Sequence, residues 1–390
     1  MRIGVNTLYL VPGEVGGSER YLRNVLQSLA QRPDLELVLF TNQEADGSFR
    51  AQFARYPTVE FQRLPVHAAG KLTRLLHEFV RLPRVAGAAH VDLLWCPAYT
   101  ALPWAPCPQV VTVHDMQYRK FPQDFGLPAR LALRILVPWS IHRCARVLAV
   151  SEFAKREILA CVRVPTGSIH VTLEAADVSF AEPLAPETRR ERLRDQTPGD
   201  GPYLLCVANT YPHKNVPALV EAFTRIADRI PHRLVLVGIA GRGEALVQKS
   251  LQLLPSPDRC VRLHHLRHAQ LVALYQGADL FVFPSLYEGF GLPVLEAMKA
   301  GTPVIATRRG PMPEVGGECI EYCDGDRDGL AQAMLRALAW SPTERSARIT
   351  AARCRADTFT WEKTAQATLH CFRAAVQTQG RDCCTAAGAS

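Results

Sequence analysis

Long apolar runs are missing from this chain. No stretch of 18 apolar residues occurs in its 390 residues, so no segment reads as a helix able to span a bilayer. No signal peptide is expected either. The opening residues, Met1 to Val11, carry one Arg and no small-residue cleavage site before Pro12 and Gly13, and read as an apolar strand. A cytoplasmic protein is the expectation. Twelve cysteines are present, yet none forms a Cys-x-x-Cys pair. Cys319 and Cys323, and the adjacent Cys383 and Cys384, have neither the second pair nor the histidines that a zinc site needs. Most of the others, such as Cys96, Cys144 and Cys206, sit in apolar runs and read as reduced structural thiols. No nucleic-acid motif accompanies the formal charge of +8, so DNA and RNA are set aside. That charge suits an anionic substrate or a membrane surface.

What is there is the composition of an ordinary soluble protein, 48% apolar and 21% charged, with length for two domains that each bury a core. The most informative stretch is Leu280 to Thr307. Leu280 to Phe283 is a short apolar run without polar alternation, as expected of a strand buried on both faces. Pro284 and Ser285 end it, and Gly289 and Gly291 permit a tight loop. Pro293 suits a first helical residue, Leu292, Leu295 and Met298 recur at helical spacing, and Gly301 closes the helix. Pro303 to Ala306 reads as the next strand. Strand, loop, helix and strand in this order are the unit of a parallel α/β sheet.

Two carboxylates flank that helix start. Glu288 lies in the loop at the strand's C-terminal end, where open α/β sheets bind ligands, and Glu296 lies about one turn inside the helix. Between them the amides of Phe290, Gly291 and Leu292 point out of the helix N-terminus as an anion site. Two acids bracketing an anion site fit hydroxyl groups on either side of a phosphate, the layout of a nucleotide sugar. Two Glu beside a helix dipole can also be merely structural.

Elsewhere the same grammar recurs. Arg2 to Leu8 and Leu35 to Thr41 read as strands. Gly16 and Gly17 lie in the first strand-to-helix loop, where backbone can approach a ligand closely, and Ser18 is the expected cap of the helix that buries Tyr21, Leu22, Val25, Leu26 and Leu29. Residues 64–85 form a basic, partly amphipathic stretch that can pack on its own domain or lie on an anionic bilayer. Asp92 to Cys96 and Gln109 to Val113 are further strands. The second runs into His114-Asp115, placing His114 at a ligand-binding strand end. Leu148 to Ser151, Ser168 to Leu173, Tyr203 to Ala208, Leu234 to Gly238 and Val261 to Leu263 are also strands, and Ser151 caps the helix from Glu152 to Ala160. Lys214 stands just before a helix start, where its ammonium and the helix dipole can meet one phosphate.

The pattern PSxxEGFGLPxLEAMxxGxPV, together with VTVHDMQYRKFPQDF, LAVSEFAKREI, the Pro-His-Lys-Asn run at 212–215 and Gly310-Pro311-Met312-Pro313-Glu314-Val315, resembles the retaining glycosyltransferases of family 4. The resemblance covers residues 1 to about 376. It implies an α/β protein of GT-B fold: two facing Rossmann-like domains with a donor and acceptor cleft between them. The expected division is an acceptor-side domain over 1–180, a connection over 181–202, a nucleotide-sugar domain over 203–355, a helix over 356–378 crossing back to the first domain, and a tail over 379–390.

Carried over residue by residue, the resemblance makes Glu288 and His114 ligands of the donor sugar, Glu296 a ligand of the ribose and Lys214 a ligand of the diphosphate. Gly16 and Gly17 face the diphosphate and acceptor. Many relatives have an Arg where this chain has Asn209 and Thr210, so Asn209 enters the expected donor site with one cation fewer unless Arg242, Arg267 or a first-domain residue compensates. The implied reaction is transfer of a hexose, of mannosyl or glucosyl type, from a GDP- or UDP-sugar to a glycan or lipid-linked acceptor in cell-surface polysaccharide synthesis. It further implies retained configuration with no cofactor and no metal, and the inner membrane face as a place where such a protein can work. Two rivals stand beside it: a nucleotide-sugar epimerase of the same fold, and a non-catalytic nucleotide-sugar-binding protein.

Overall fold

The computed structural model describes residues 1–194 and 201–387. Thirteen strands form among them: β1 (Arg2–Asn6), β2 (Glu36–Thr41), β3 (Val59–Arg63), β4 (Leu93–Cys96), β5 (Gln109–Val113), β6 (Arg146–Ala149), β7 (Ile169–Val171), β8 (Tyr203–Val207), β9 (Arg233–Val237), β10 (Cys260–Leu263), β11 (Leu280–Phe283), β12 (Val304–Thr307) and β13 (Glu321–Cys323). They build two wholly parallel sheets, in the orders β3-β2-β1-β4-β5-β6-β7 and β10-β9-β8-β11-β12-β13. In each the order reverses once, between β1 and β4 in the first sheet and between β8 and β11 in the second. Loops at the carboxyl ends of strands flanking such a reversal diverge and leave a crevice, where α/β proteins bind ligands. The two domains are therefore the doubly wound α/β units expected.

Their composition is less linear than expected. One unit comprises Met1–Met116, Leu127–Glu174 and the chain from Trp361 onward; the other comprises Gln117–Gly126 and Ala175–Thr360. Residues 117–126 and 175–180 thus leave the expected first domain. The expected connection over 181–202 is largely docked structure. It contains a helix, Pro186–Leu193, and Leu184 N and Arg189 Nη1 both bond Gln276 of the second unit, at 2.9 and 3.2 Å. Residues 195–200 lie outside the described residues. The last helix runs over Trp361–Ala387, so most of the expected tail at 379–390 continues it.

Within the first unit the helix Gly17–Ala30 buries Tyr21, Leu22, Val25, Leu26 and Leu29, as its periodicity predicts. The last helix packs on it, with the Trp361 ring 6.4 Å from Tyr21 and the Phe372 ring 5.5 Å from Trp95. Residues 71–88 are helical, with one wide turn at His77–Arg81. Residues 64–70 are not, and Leu64 and Val66 are buried there instead. Two helices over Asp46–Phe53 and Leu127–Arg143, and strand β3, lack a clear sequence signal and appear only in the structure. The second unit's core is built from the helices Val216–Ile226 and Arg327–Leu338 against the sheet, through Leu219, Phe223, Leu234, Val282, Leu330 and Met334.

Candidate active site

The loops after β8 and β11 flank the reversal of the second sheet, and they carry the two residues with the most pointed charge relationship. The turn Pro212–Lys214 is followed by Asn215 in a left-handed conformation, held because its side-chain amide donates to Pro284 O at 3.2 Å and Gly325 O at 2.7 Å. That anchoring aims Lys214 across to the neighbouring loop, where Nζ lies 2.6 Å from Glu288 Oε1. Ser285 Oγ donates to the same oxygen at 2.6 Å. The ammonium also lies 5.6 Å from the centre of the Phe283 ring. Both side chains are only slightly exposed, so water screens the pair weakly. Ser285 belongs to the Pro-Ser pair that ends β11 and is a member of the site that sequence reading left as punctuation.

Phe290, Gly291 and Leu292 follow Glu288 into the helix Leu292–Ala300. The helix begins at Leu292, one residue before Pro293, and Gly291 is its N-cap with no side-chain cap. Gly291 has φ +106°, and a Cβ there would lie 2.3 Å from Met312 Cε, so both conformation and space demand glycine. An N-terminus left without a side-chain acceptor presents its amides to an anion. Glu296 is buried one turn inside, and Tyr275 donates its hydroxyl to Oε2 at 3.0 Å. Tyr275 is a second member that sequence reading missed, since its helix position reads as core.

Asn209 and Thr210 hold backbone rather than present charge. Asn209 Oδ1 accepts from Ile239 N at 3.0 Å. Thr210 Oγ1 donates to Glu244 Oε2 and accepts from Gly241 N, both at 2.7 Å. Gly241 and Gly243 lie so close to the Thr210 main chain that a Cβ on either would come within 3.0 Å of it. The glycine-rich end of β9 thereby packs against the loop after β8. Glu244 also pairs with Arg262, and that guanidinium, with help from Thr210, brings its pKa down to about 2.

The first unit holds the remaining candidates. Gly16, at φ +71°, is the N-cap of the helix that starts at Gly17. Ser18 is not the cap expected of it: it lies inside the helix and donates to Val15 O at 3.3 Å. Glu19 instead pins the loop, accepting from Gly13 N at 2.8 Å and pairing with Arg23 at 2.8 Å. His114 follows β5 and is buried, with its ring edge-on to Tyr21 at 5.2 Å. Its Nε2 donates to Pro97 O at 3.0 Å, and Nδ1 lies 3.6 Å from Glu174 Oε1. Ser151 does cap the helix Glu152–Cys161, accepting from Ala154 N at 2.9 Å.

No group of three or more metal-ligating side chains occurs among the described residues. Asp324-Gly325-Asp326 has the spacing of a metal-holding acid pair, but Asp326 is the N-cap of the helix Arg327–Leu338 and accepts from Gly329 N at 2.6 Å. The ten cysteines whose side chains are described are free.

Comparison with known proteins converges on one group. Residues 15–180 match the model of Glycosyltransferase Family 4 and residues 188–349 that of Glycosyl transferases group 1. The chain is 27% identical over 267 residues to O-antigen chain mannosyltransferase B of Escherichia coli, covering 68% of this chain and 70% of that protein. In structure it is similar to sucrose-phosphate synthase of Thermosynechococcus elongatus, with a TM-score of 0.77, 20% identity, and coverage of 96% of this chain and 98% of that one. It is also similar to Anabaena HepE in complex with UDP-glucose, with a TM-score of 0.70, 17% identity, and coverage of 98% and 100%. Both matched models are those of sugar transferases, which leaves the epimerase and binding-protein readings without support.

Proposed function

We propose a donor, an acceptor and a mechanism for this chain, which belongs to the family 4 glycosyltransferases and has the GT-B fold. The protein is a hexosyltransferase of polysaccharide synthesis, and the donor is GDP-mannose, in keeping with its likeness to an O-antigen mannosyltransferase. The acceptor is a growing glycan or lipid-linked saccharide.

The observation that carries the reading is the meeting of Lys214 and Glu288 at the switch point of the second sheet, beside the uncapped helix N-terminus at Gly291. Cleaving the bond between the anomeric carbon and phosphate leaves its electron pair on the diphosphate. Lys214 and the amides of Phe290, Gly291 and Leu292 supply positive charge for that oxygen anion, fixed before the reaction begins. The acceptor hydroxyl forms the new bond to the anomeric carbon, and its proton goes to the leaving phosphate oxygen on the same face, so configuration is retained. Fixed cations and dipoles supply the stabilisation that a metal would otherwise give. Glu288 binds sugar hydroxyls and Glu296 binds the ribose.

The protein works at an anionic membrane surface. The helical stretch 71–88 exposes Leu72, Leu76 and Val80 in one i, i+4 row, with Leu72 84% exposed, amid Arg81 and Arg84. The helix Leu127–Arg143 repeats the device with Leu127, Leu131, Ile135 and Trp139, and it carries Arg130, Arg134 and Arg143 and no acidic residue. Apolar rows with cationic flanks suit the boundary between acyl chains and anionic headgroups. Among the described residues no helix is long and apolar enough to cross a membrane.

A thermal-shift panel of GDP-mannose, UDP-glucose and ADP-glucose, with and without EDTA, tests the donor assignment. Binding raises Tm by linkage. A shift with GDP-mannose that survives EDTA and disappears in Glu296→Ala is the expected result. A shift confined to another nucleotide, or one abolished by EDTA, overturns the donor or the metal-independent mechanism respectively.

A further inference from the structure

The segment Gln117–Gly126 interrupts the first unit in sequence yet is part of the second. Its helical turn Gln117–Lys120 and the turn Pro122–Asp124 bring Asp124 beside His213, the residue preceding Lys214. Asp124 Oδ2 lies 2.6 Å from His213 Nδ1 and accepts from Gln117 Nε2 at 2.7 Å. Both residues are buried, and the rings of Phe121 and Tyr211 each lie 6.0 Å from the imidazole. Burial, with the nearby Lys214 charge, holds the His213 pKa below that of an ordinary imidazole, so the ring is neutral at neutral pH. Gln117 Nε2 also lies 2.9 Å from Nδ1, but it donates to Asp124 Oδ2; two acceptors do not approach as closely as Nδ1 and Oδ2, so the single ring proton sits on Nδ1 and is donated to Asp124.

The main chain of His213 continues the linkage. Its carbonyl accepts from Leu286 N at 2.8 Å, which docks the turn carrying Lys214 onto the loop carrying Ser285 and Glu288. Asp124 therefore grips the ring of a residue whose backbone joins the two halves of the Lys214–Glu288 pair. As a device for stability alone it is a poor choice. Asp124 Oδ1 is buried with no hydrogen-bond partner among the described residues, and a buried carboxylate satisfied on one oxygen costs desolvation without full return.

We propose that Asp124 and His213 are a positioning pair for the Lys214–Glu288 site: Asp124 orients the His213 ring, and His213 sets the turn of Lys214 against the loop of Glu288. This rests on the transferase reading above. The test compares Asp124→Ala and Asp124→Asn with wild type in steady-state transfer from GDP-mannose, or from UDP-glucose if wild type turns that over instead. Nitrogen-15 NMR of the His213 ring, assigned by its loss in His213→Gln, runs alongside.

Displacing the two loops by a fraction of a bond length lowers kcat by roughly tenfold to hundredfold in Asp124→Ala. The donor KM changes much less, and the ring shifts from the Nδ1–H form to a mixture. Asp124→Asn, whose side-chain oxygen still accepts from Nδ1, restores both kcat and the tautomer to near wild type. A folded Asp124→Ala with wild-type kcat, or an Asp124→Asn as slow as Asp124→Ala, overturns the proposal. If Asp124→Ala does not fold, an Nε2–H tautomer in wild type overturns it alone. Failure of wild type to use either nucleotide sugar counts against the donor assignment instead, and the NMR arm still decides the pair.

Discussion

Lys214 Nζ lies 2.6 Å from Glu288 Oε1, joining the loop after β8 to the loop after its neighbour β11 where the strand order reverses. The pair is a resting arrangement of two groups with different tasks. Glu288 holds the ammonium in place for the diphosphate of the proposed donor, and Ser285 fixes the carboxylate from the other side. Removing either charge leaves the other without its partner in a weakly solvated loop.

Lys214→Ala and Glu288→Ala should each lower kcat by roughly 10²–10³, because each removes a contact that the proposed mechanism makes to the transition state. Steady-state transfer with variants of wild-type Tm checks this. Near-wild-type turnover in folded Glu288→Ala removes the central assignment.

Glu296→Gln should weaken donor binding with a smaller effect on kcat, since the proposed ribose contact is remote from the bond that breaks. Loss of a charged hydrogen bond predicts a rise in donor Kd of roughly tenfold to hundredfold. Tyr275→Phe, which leaves Glu296 Oε2 without the tyrosine's hydroxyl, should move in the same direction by less. Isothermal titration with the nucleoside diphosphate separates the two variants.

Gly291→Ala forces a Cβ onto Met312 and holds alanine at φ +106°. A backbone strain of about 1–3 kcal/mol should appear as a lower Tm, and the displaced amides should slow transfer. Met312→Ala in the same background removes the clash but not the strain. It should recover only part of the lost stability; full recovery would show that space alone excludes a side chain at 291.

The Glu244–Arg262 pair makes a pH prediction. The Glu244 pKa is lowered from 4.5 to about 2, so its contribution to stability is fully present above pH 4.5 and is lost as pH falls towards 2. For a partly exposed pair that contribution is discounted to about 1 kcal/mol. Arg262→Gln should therefore melt below wild type at pH 7, with the gap closing between pH 4.5 and 2. A gap that does not change across that range would show that the arginine acts by packing rather than charge.

Replacing Leu131 and Ile135 by Asp on the helix Leu127–Arg143 should abolish co-sedimentation with phosphatidylglycerol vesicles while leaving Tm within a few degrees of wild type. Neutral phosphatidylcholine vesicles should bind wild type weakly in the same assay. Equal binding to both vesicle types would rule out the charge term.

Much was determined by the sequence alone, for a local reason. Buried parallel strands are continuous apolar runs, and the loops after them are marked by proline and glycine, so β5 and β11 are found at their observed limits and the Pro284–Val304 motif stands out unaided. Glu288, Glu296, Lys214 and Gly291 lie within or beside such runs, and their neighbourhood in space follows from neighbourhood in sequence plus the parallel sheet. The edge strand β3 was not legible, because its half-exposed Val59 and Phe61 and exposed Glu60 do not form a run. Nor was the helix Leu127–Arg143, whose apolar residues are partly turned outward and break the amphipathic pattern.

Which unit each segment joins was settled by long-range contacts. Nothing local distinguishes Gln117–Gly126 from the stretches around it, yet Phe121 and Asp124 find their partners at Tyr287 and His213, far along the chain. The same holds for Ser285 and Tyr275, whose hydroxyls acquire a role only when a carboxylate is brought within hydrogen-bond distance. Pattern and propensity act over a few residues. The pairing of one buried polar group with another is set by the register of strands that meet across the sheet.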